Sequence, residues 1–309
     1  MEYYYKEVSP NTIADIQFLI KAVYGRESTL ESLNKKYDTT KSGLYTVGYL
    51  AYSKSNDEPA GYYGVFPTVF EYDGKTVLAA QSGDTMTHPS HRRKGLFVTL
   101  ATMTYDLAKN KGVEFVFGFP VEASYQGFVK KLNWRHDSNI KKLDFFIFTF
   151  PLSSIQRLSQ NFYLKFVNIF FSNSKSENIY PFMNQELRNP KIKRSFDFYH
   201  YKDKKNNFKF MFLGLNIWYQ IKGETMIIAD LEYNQKLKTK SVISRLKFLA
   251  FLMGILRVSF HLSPNSVFAT KLSGQYDLKE GLAIGYVDLL ETQLPLKEMC
   301  FTYADFDTF

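Results

Sequence analysis

Residues 87–96 read THPSHRRKGL: three consecutive cations are followed at once by Gly95 and then by an apolar segment with helical spacing. Upstream, KTVLAAQSGDTMTHP (75–89) reads as a strand. Downstream, Leu96, Leu100, Met103 and Leu107 mark one face of a helix over about 95–111, which Lys111-Gly112 stops. VEFVFGF (113–119) is a near-continuous apolar run of the kind buried on both faces of a sheet. Strand, loop, helix and strand over 75–119 make one β-α-β crossover, whose two strands are expected to lie parallel.

Elementary chemistry gives the loop a task. The first N–H groups of a helix lack intrahelical partners and sit at the positive end of its dipole, so they attract anions. Gly95 lets backbone approach an oxygen with no Cβ in the way, and Arg92, Arg93 and Lys94 add charge suited to a diphosphate. Neither GxxxxGK[ST] nor GxGxxG is present at this loop, so a P-loop hydrolase and a nicotinamide fingerprint are both unsupported.

Around the crossover the first half alternates helix and strand patterns. A strand at about 3–8 precedes a helix capped by Ser9 or Asn11, with Ile13, Ile16, Leu19, Ile20 and Val23 on one face, and a second helix is expected over 27–37. LYTVGYLAYS (44–53) and AGYYGVFPTVFEY (60–72), separated by the turn signals NDEP and YDGK, predict an antiparallel meander. A short helix at 122–132 and a strand at 140–149 complete it. The fold class is α/β (α+β): a mixed, mostly antiparallel twisted sheet around a central parallel β-α-β crossover.

The second half repeats this order, with strands expected at 196–201, 208–213, 216–222 and 225–232, a helix at 238–254 and a strand at 255–262. Self-alignment lays Phe260-His261-Leu262 over Phe117-Gly118-Phe119, Gly254 over Gly112 and Asp230 over Asp84. From Asp84 to Gly112 is 28 positions and from Asp230 to Gly254 only 24, and the shortfall falls where THPSHRRKG stands in the first half. A tandem repeat whose second copy has lost the loop, near 231–238, is expected. The domains are then 1–150, a helical connector at 151–194 and a degenerate copy at 195–309.

Residues 1–150 resemble the GNAT family of acyl-CoA-dependent N-acyltransferases. The family's Q/R-x-x-G-x-G/A loop is matched by Arg92-Arg93-Lys94-Gly95-Leu96-Phe97 except at its last position; His88-Pro89 precedes it as the family's "hP" does, and FVKKLNW (128–134) is similar to its "FYEKLGF". The resemblance implies acetyl-CoA as co-substrate, its pyrophosphate on Arg92–Phe97. It also implies two splayed central strands, with the backbone of Thr85, Met86 and Thr87 facing the pantetheine and acetyl oxygen. Phe97 stands where a small residue is usual, Glu122 where a helix-starting Asn is common, and Val129 where the acid tyrosine would be. Candidates for proton transfer are Asp84 on the strand, Tyr125 one turn before Val129, and Glu122; His88 and His91 are expected to pack the loop.

The rest of the chain sets bounds. With 309 residues, 45% hydrophobic and 22% charged, it has the composition of a folded globular protein and room for two cores. The single Cys300 excludes a disulfide framework, and no metal site is indicated. Neither a signal peptide nor a run approaching the ~20 residues of a membrane span is visible, so a cytoplasmic protein is expected. The net charge of +9 lies without a recognition helix, so nucleic acid is not an expected partner. SSIQRLSQNFYLKFVNIFF (153–171) reads as an amphipathic connector helix, with membrane-surface contact as its alternative.

These readings predict acetyl transfer to a primary amine of a small molecule, an amino sugar among the options. The alternatives are an aminoacyl-tRNA-dependent transferase, which also pairs two such folds, and a CoA-binding scaffold without catalysis.

Overall fold

A computed structural model describes residues 2–149, 155–172 and 189–309. The chain divides into two compact units, one of residues 1–138 with 282–297 and the other of residues 139–281 with 298–309.

Unit 1 begins with β1 (Tyr3–Glu7), α1 (Ile13–Tyr24) and α2 (Leu30–Tyr37), then the meander β2 (Val47–Ser53), β3 (Pro59–Tyr72) and β4 (Lys75–Thr87). α1 buries Ile13, Ile16, Leu19 and Ile20. α2 starts later than its composition suggests, because the Thr29 hydroxyl accepts from the Ser32 N–H and caps it there. After the loop come α3 (Leu96–Asn110), β5 (Phe115–Gly118), α4 (Glu122–Lys131) and β6 (Arg135–Phe146). α3 buries Leu96, Leu100, Ala101, Thr104 and Ala108 against the unit's sheet. At ~1.5–3 kcal/mol per fully buried large apolar side chain, this face anchors the loop that precedes it.

The predicted parallel pair is present: β4 and β5 pair Ala79 with Phe115, Ala80 with Val116 and Gln81 with Phe117.

Unit 2 contains α5 (Ile155–Phe170), β7 (Lys191–Ile192), α6 (Phe196–Tyr201), β8 (Asn207–Phe212), β9 (Leu215–Lys222), β10 (Thr225–Tyr233), α7 (Thr239–Leu252), β11 (Arg257–Leu262) and α8 (Val267–Ser273). Its parallel pair, β10 and β11, runs from Thr225 opposite Arg257 to Ile228 opposite Phe260. Phe117 and Phe260, superimposed by the self-alignment, are thus each the last residue of a parallel register. The element order of the first half, from β1 and α1 through the meander to α4 and β6, recurs as β7, α6, β8–β10, α7, β11, α8 and β12 (Lys279–Asp288).

The structure also differs from the sequence reading in two places. Residues 196–201 are helix α6, not a strand: Ser195 Oγ accepts from the Phe198 N–H and Asp197 sits in the first turn, which overrides the aromatic alternation of FDFYHY. The expected connector helix is α5, whose Tyr163, Leu164 and Val167 are buried in the core of unit 2. The remainder of the connector at 150–154 and 173–188 lies outside the described residues. Finally, the last strand of each half completes the other unit. β12 pairs antiparallel with β5 (Gly285 opposite Gly118, Asp288 opposite Phe115), and β6 pairs antiparallel with β11 (Phe146 opposite Arg257, Lys141 opposite Leu262).

Candidate functional site

In unit 1 the register of β4 with β5 ends at Gln81 and Phe117, while β4 continues beside β3 to Thr87. Between Gly83 and Met86 the β3–β4 register slips by one residue. Asp84 sits in this bulge with φ of 52°, in the left-handed region that L residues rarely adopt. Ser82, Gly83, Asp84 and Thr85 are partly exposed at this fork, whereas the Met86 side chain is buried. Met86 therefore offers the fork only backbone, and Thr85 already uses its carbonyl, which accepts from Tyr24 Oη at 3.1 Å.

The loop leaves β4 through His88, whose N–H bonds the Ala60 carbonyl. His88 Nδ1 accepts from the Ser90 N–H and its ring stacks on Phe18; His91 Nδ1 meets Tyr3 Oη at 2.9 Å. Burial, with Lys94 beside it, holds the His91 imidazole below the usual histidine range. Both histidines pack the loop as expected.

Beyond them the backbone alternates in hand, with Arg93 at φ 63° and Gly95 at φ 79°. Gly95 caps α3 without a side chain, and Val98 and Thr99 donate to its carbonyl. Among the described residues no backbone carbonyl accepts from the N–H groups of Arg92 to Phe97. A run of unpartnered N–H groups in such a turn, at the head of a helix, is a concave anion site. Arg92 and Arg93 are exposed beside it. Lys94 is drawn aside, its Nζ 2.5 Å from Glu2 Oε1.

Two residues of the loop turn inward. Leu96 is buried, and Phe97 packs edge-on against Tyr63 and Phe128 at ring distances of 6.0 and 5.4 Å. Gly127 on α4 makes room for it, since a Cβ there would lie 3.0 Å from the Phe97 ring. The large residue at the motif's last position is thus accommodated by a small one on the facing helix.

The three proton-transfer candidates have different surroundings. Asp84 Oδ2 accepts from Tyr37 Oη at 2.9 Å and pairs with Lys36 Nζ at 2.6 Å, so one oxygen of this carboxylate is committed. Tyr37 is buried beneath it, and burial pushes its phenol well above the usual tyrosine range. Tyr125 Oη lies 2.7 Å from His136 Nδ1 with the rings edge-on at 5.2 Å, a pair that joins α4 to β6. Glu122 is exposed in the first turn of α4, where its charge faces the positive helix end.

Sequence reasoning named neither His136 nor Lys36 and Tyr37, because each meets its partner only through the fold. It also missed a polar chain beneath the fork: Ser82 Oγ, Tyr63 Oη, Tyr105 Oη and Trp134 Nε1 are linked at 2.9, 2.7 and 2.8 Å. Among the described residues no cluster of His, Cys, Asp and Glu could hold a metal ion.

The sequence profile of the family described as "Acetyltransferase (GNAT) domain" matches residues 4–136, which carry the loop, the bulged strand and the Tyr125–His136 pair. Over residues 4–136 the chain is similar to a GNAT acetyltransferase domain. No curated protein matches the chain by sequence. Solved structures share its fold at low identity. A GCN5-related N-acetyltransferase from Kribbella flavida is 10% identical, with 93% of this chain and 71% of that chain covered and a TM-score of 0.61. The N-myristoyltransferase of Saccharomyces cerevisiae, solved with myristoyl-CoA, is also 10% identical, with 92% and 82% covered and a TM-score of 0.58. A glucosamine N-acetyltransferase region of a fungal GH3 beta-N-acetylglucosaminidase is 12% identical, with 92% and 38% covered and a TM-score of 0.50.

Unit 2 has a matching fork with different contents. Its register ends at Ile228 and Phe260, and a bulge precedes Asp230 as one surrounds Asp84. Asp230 is fully buried, and Arg194 Nε reaches its Oδ2 at 2.7 Å while Nη1 reaches Asp305 Oδ1 at 2.5 Å. Thr302 donates its hydroxyl to Asp230 Oδ1 at 2.9 Å and bridges Leu262 of β11. The segment around 302–305 therefore fills the space between the two diverging strands. No glycine-led loop precedes α7, whose N-cap is Lys238 in extended conformation.

Proposed function

We propose that unit 1 binds acetyl-CoA, with the diphosphate on the Arg92–Phe97 loop and the thioester at the fork of β4 and β5, and acetylates a primary amine of a small molecule. The observation that carries this reading is the run of unpartnered N–H groups from Arg92 to Phe97, flanked by two exposed arginines. A diphosphate meets such groups with charge-assisted hydrogen bonds, and their orientation is fixed before the ligand arrives.

The backbone of Thr85 to Thr87 faces the pantetheine and the acetyl oxygen in this scheme. As the amine nitrogen bonds to the acetyl carbon the C–S bond breaks, the nitrogen releases a proton and the thiolate takes one up. Tyr125 is the proton donor to sulfur in place of Val129, with His136 holding its hydroxyl in position and replacing the proton. Asp84, through its uncommitted oxygen and a water, is the acceptor of the amine proton, and Glu122 draws the cationic acceptor toward the fork.

Unit 2 is a degenerate second copy that binds no coenzyme. An amino sugar is the first acceptor to try, by analogy with the fungal glucosamine N-acetyltransferase region that shares the fold. A coenzyme A ester as donor makes the cytoplasm the working compartment.

Release of free thiol from acetyl-CoA, measured over a panel of amines that includes glucosamine, tests the reading. Turnover on at least one small amine, lowered on the order of 100-fold in Tyr125→Phe, is the expected result. Coenzyme binding without thiol release on any amine would instead assign the protein as a scaffold.

A further inference from the structure

Neither helix α5 (IQRLSQNFYLKFVNIF) nor helix α7 (TKSVISRLKFLAFL) nor strand β8 (NFKFMF) of unit 2 carries an acidic residue, in a chain that has 30 Asp and Glu. Both helices already satisfy the core. α5 buries Tyr163, Leu164 and Val167, and α7 buries Val242, Ile243, Leu246, Leu249 and Ala250. Their outer faces would ordinarily be polar. Instead Phe162, Ile169 and Phe170 on α5 and Phe248, Phe251 and Leu252 on α7 are between 40% and 71% exposed, and Met211 of β8 and Leu213 beside it are more than half exposed.

The side chains of the two helices belong to one surface, whereas Met211 alternates to the other face of β8. Ring contacts run from Phe170 to Phe166, Phe171, Phe210, Phe212 and Phe248, each step 5.2–6.1 Å, so they cross from α5 over β8 to α7. Tyr163 Oη donates to the Met253 carbonyl at 2.8 Å and joins α5 to the end of α7. Cations border this surface. Lys240, Arg245 and Lys247 lie on α7, and a groove of about 610 Å³ between α5 and the start of β8 is lined by Lys165, Lys204, Lys205 and Lys209 with Asp203 as its one carboxylate.

We propose that this face of unit 2 docks on an anionic membrane surface, with the exposed phenylalanines entering the headgroup boundary and the lysine groove taking phospholipid phosphates. The chemistry fits a lipid surface: large apolar side chains enter the interface while a cationic border answers its negative potential. A polynucleotide is a poorer match, because Ile169 and Leu252 offer its bases no ring to stack on. Among the described residues no helix is long and apolar enough to cross a bilayer, so the attachment is peripheral.

Co-sedimentation of the full chain with vesicles tests the proposal, using phosphatidylcholine alone and phosphatidylcholine with 30% phosphatidylserine. Binding to the acidic vesicles is expected to be at least tenfold tighter than to the neutral ones. It should fall at least tenfold in Phe162→Ser/Phe170→Ser and, separately, in Lys204→Glu/Lys205→Glu. Phe251→Ser/Leu252→Ser, on the other helix, gives the same readout should the first pair disturb folding, which circular dichroism checks. No vesicle binding would overturn the proposal. So would binding that the phenylalanine variants leave unchanged, tighter retention of RNA than of acidic vesicles, or a self-associated dimer that those variants dissolve.

Discussion

At β4 and β5 the parallel pairing stops at Gln81 and Phe117, and at β10 and β11 it stops at Ile228 and Phe260; past both points the strands diverge, and both carry an aspartate at a bulge. In unit 1 the residues beyond remain partly exposed, and an eight-position loop at 88–95 delivers free N–H groups beside them. In unit 2 the same opening is filled from within, by Arg194 between Asp230 and Asp305 and by Thr302 between the strands. The lesson is that a splayed strand pair needs an occupant. One unit leaves room for a ligand to supply it, and the other supplies it from its own chain.

Removing Arg194 is the strongest way to break the comparison. Arg194→Met leaves two buried carboxylates facing each other, and loss of a buried partner of this kind costs about 3–5 kcal/mol. Chemical denaturation should show unit 2 destabilised by that amount, while coenzyme affinity of the folded protein stays unchanged.

Substitutions at the first fork should act on rate instead. Tyr125→Phe is expected to lower kcat on the order of 100-fold with little change in KM for acetyl-CoA, since general acid catalysis contributes about 10²–10⁴-fold. His136→Gln should lower it less and shift the pH-rate profile, which a packing role alone would not do.

Gly95→Val probes the loop backbone. A Cβ at Gly95 meets no atom within 4 Å, but φ is 79°, so the cost is conformational, about 1–2 kcal/mol. Coenzyme binding should weaken by a comparable amount, measured by calorimetry at fixed salt.

The smallest effect belongs to the filler of the second fork. Lys202 is buried with its Nζ 2.6 Å from the Phe306 carbonyl, and burial lowers its ammonium from 10.5 to about 7. Between those pH values the unfolded chain holds this proton and the folded chain does not, so the group makes stability rise with pH from about 7 to 10.5. The gain is lost as pH falls toward 7. Lys202→Met should flatten that part of the Tm-versus-pH curve relative to wild type.

Much of unit 1 was legible because its signals are local. The period of Leu96, Leu100 and Leu107, the stop at Gly112 and the apolar run at 113–119 lie within one crossover, and the loop motif lies between them. The inward turn of Phe97 needed Gly127, which a linear reading cannot pair with it. FDFYHY misled because aromatic alternation imitates a strand, while the decisive signal was one residue outside it at Ser195. The pairing of β12 with β5 and of β6 with β11, the His136 partner of Tyr125 and the Arg194 triad all depend on contacts that only the fold makes. No spacing rule encodes these.

On the proposed function the chain has one coenzyme site, at the loop of unit 1. Calorimetric titration of coenzyme A into wild type, Arg93→Glu and Lys238→Glu tests it most directly. One site per chain is expected, with affinity reduced about 10–100-fold by Arg93→Glu through loss of a charge-assisted contact and unchanged by Lys238→Glu at the head of α7. Two sites per chain, or binding that Arg93→Glu leaves intact, would contradict it.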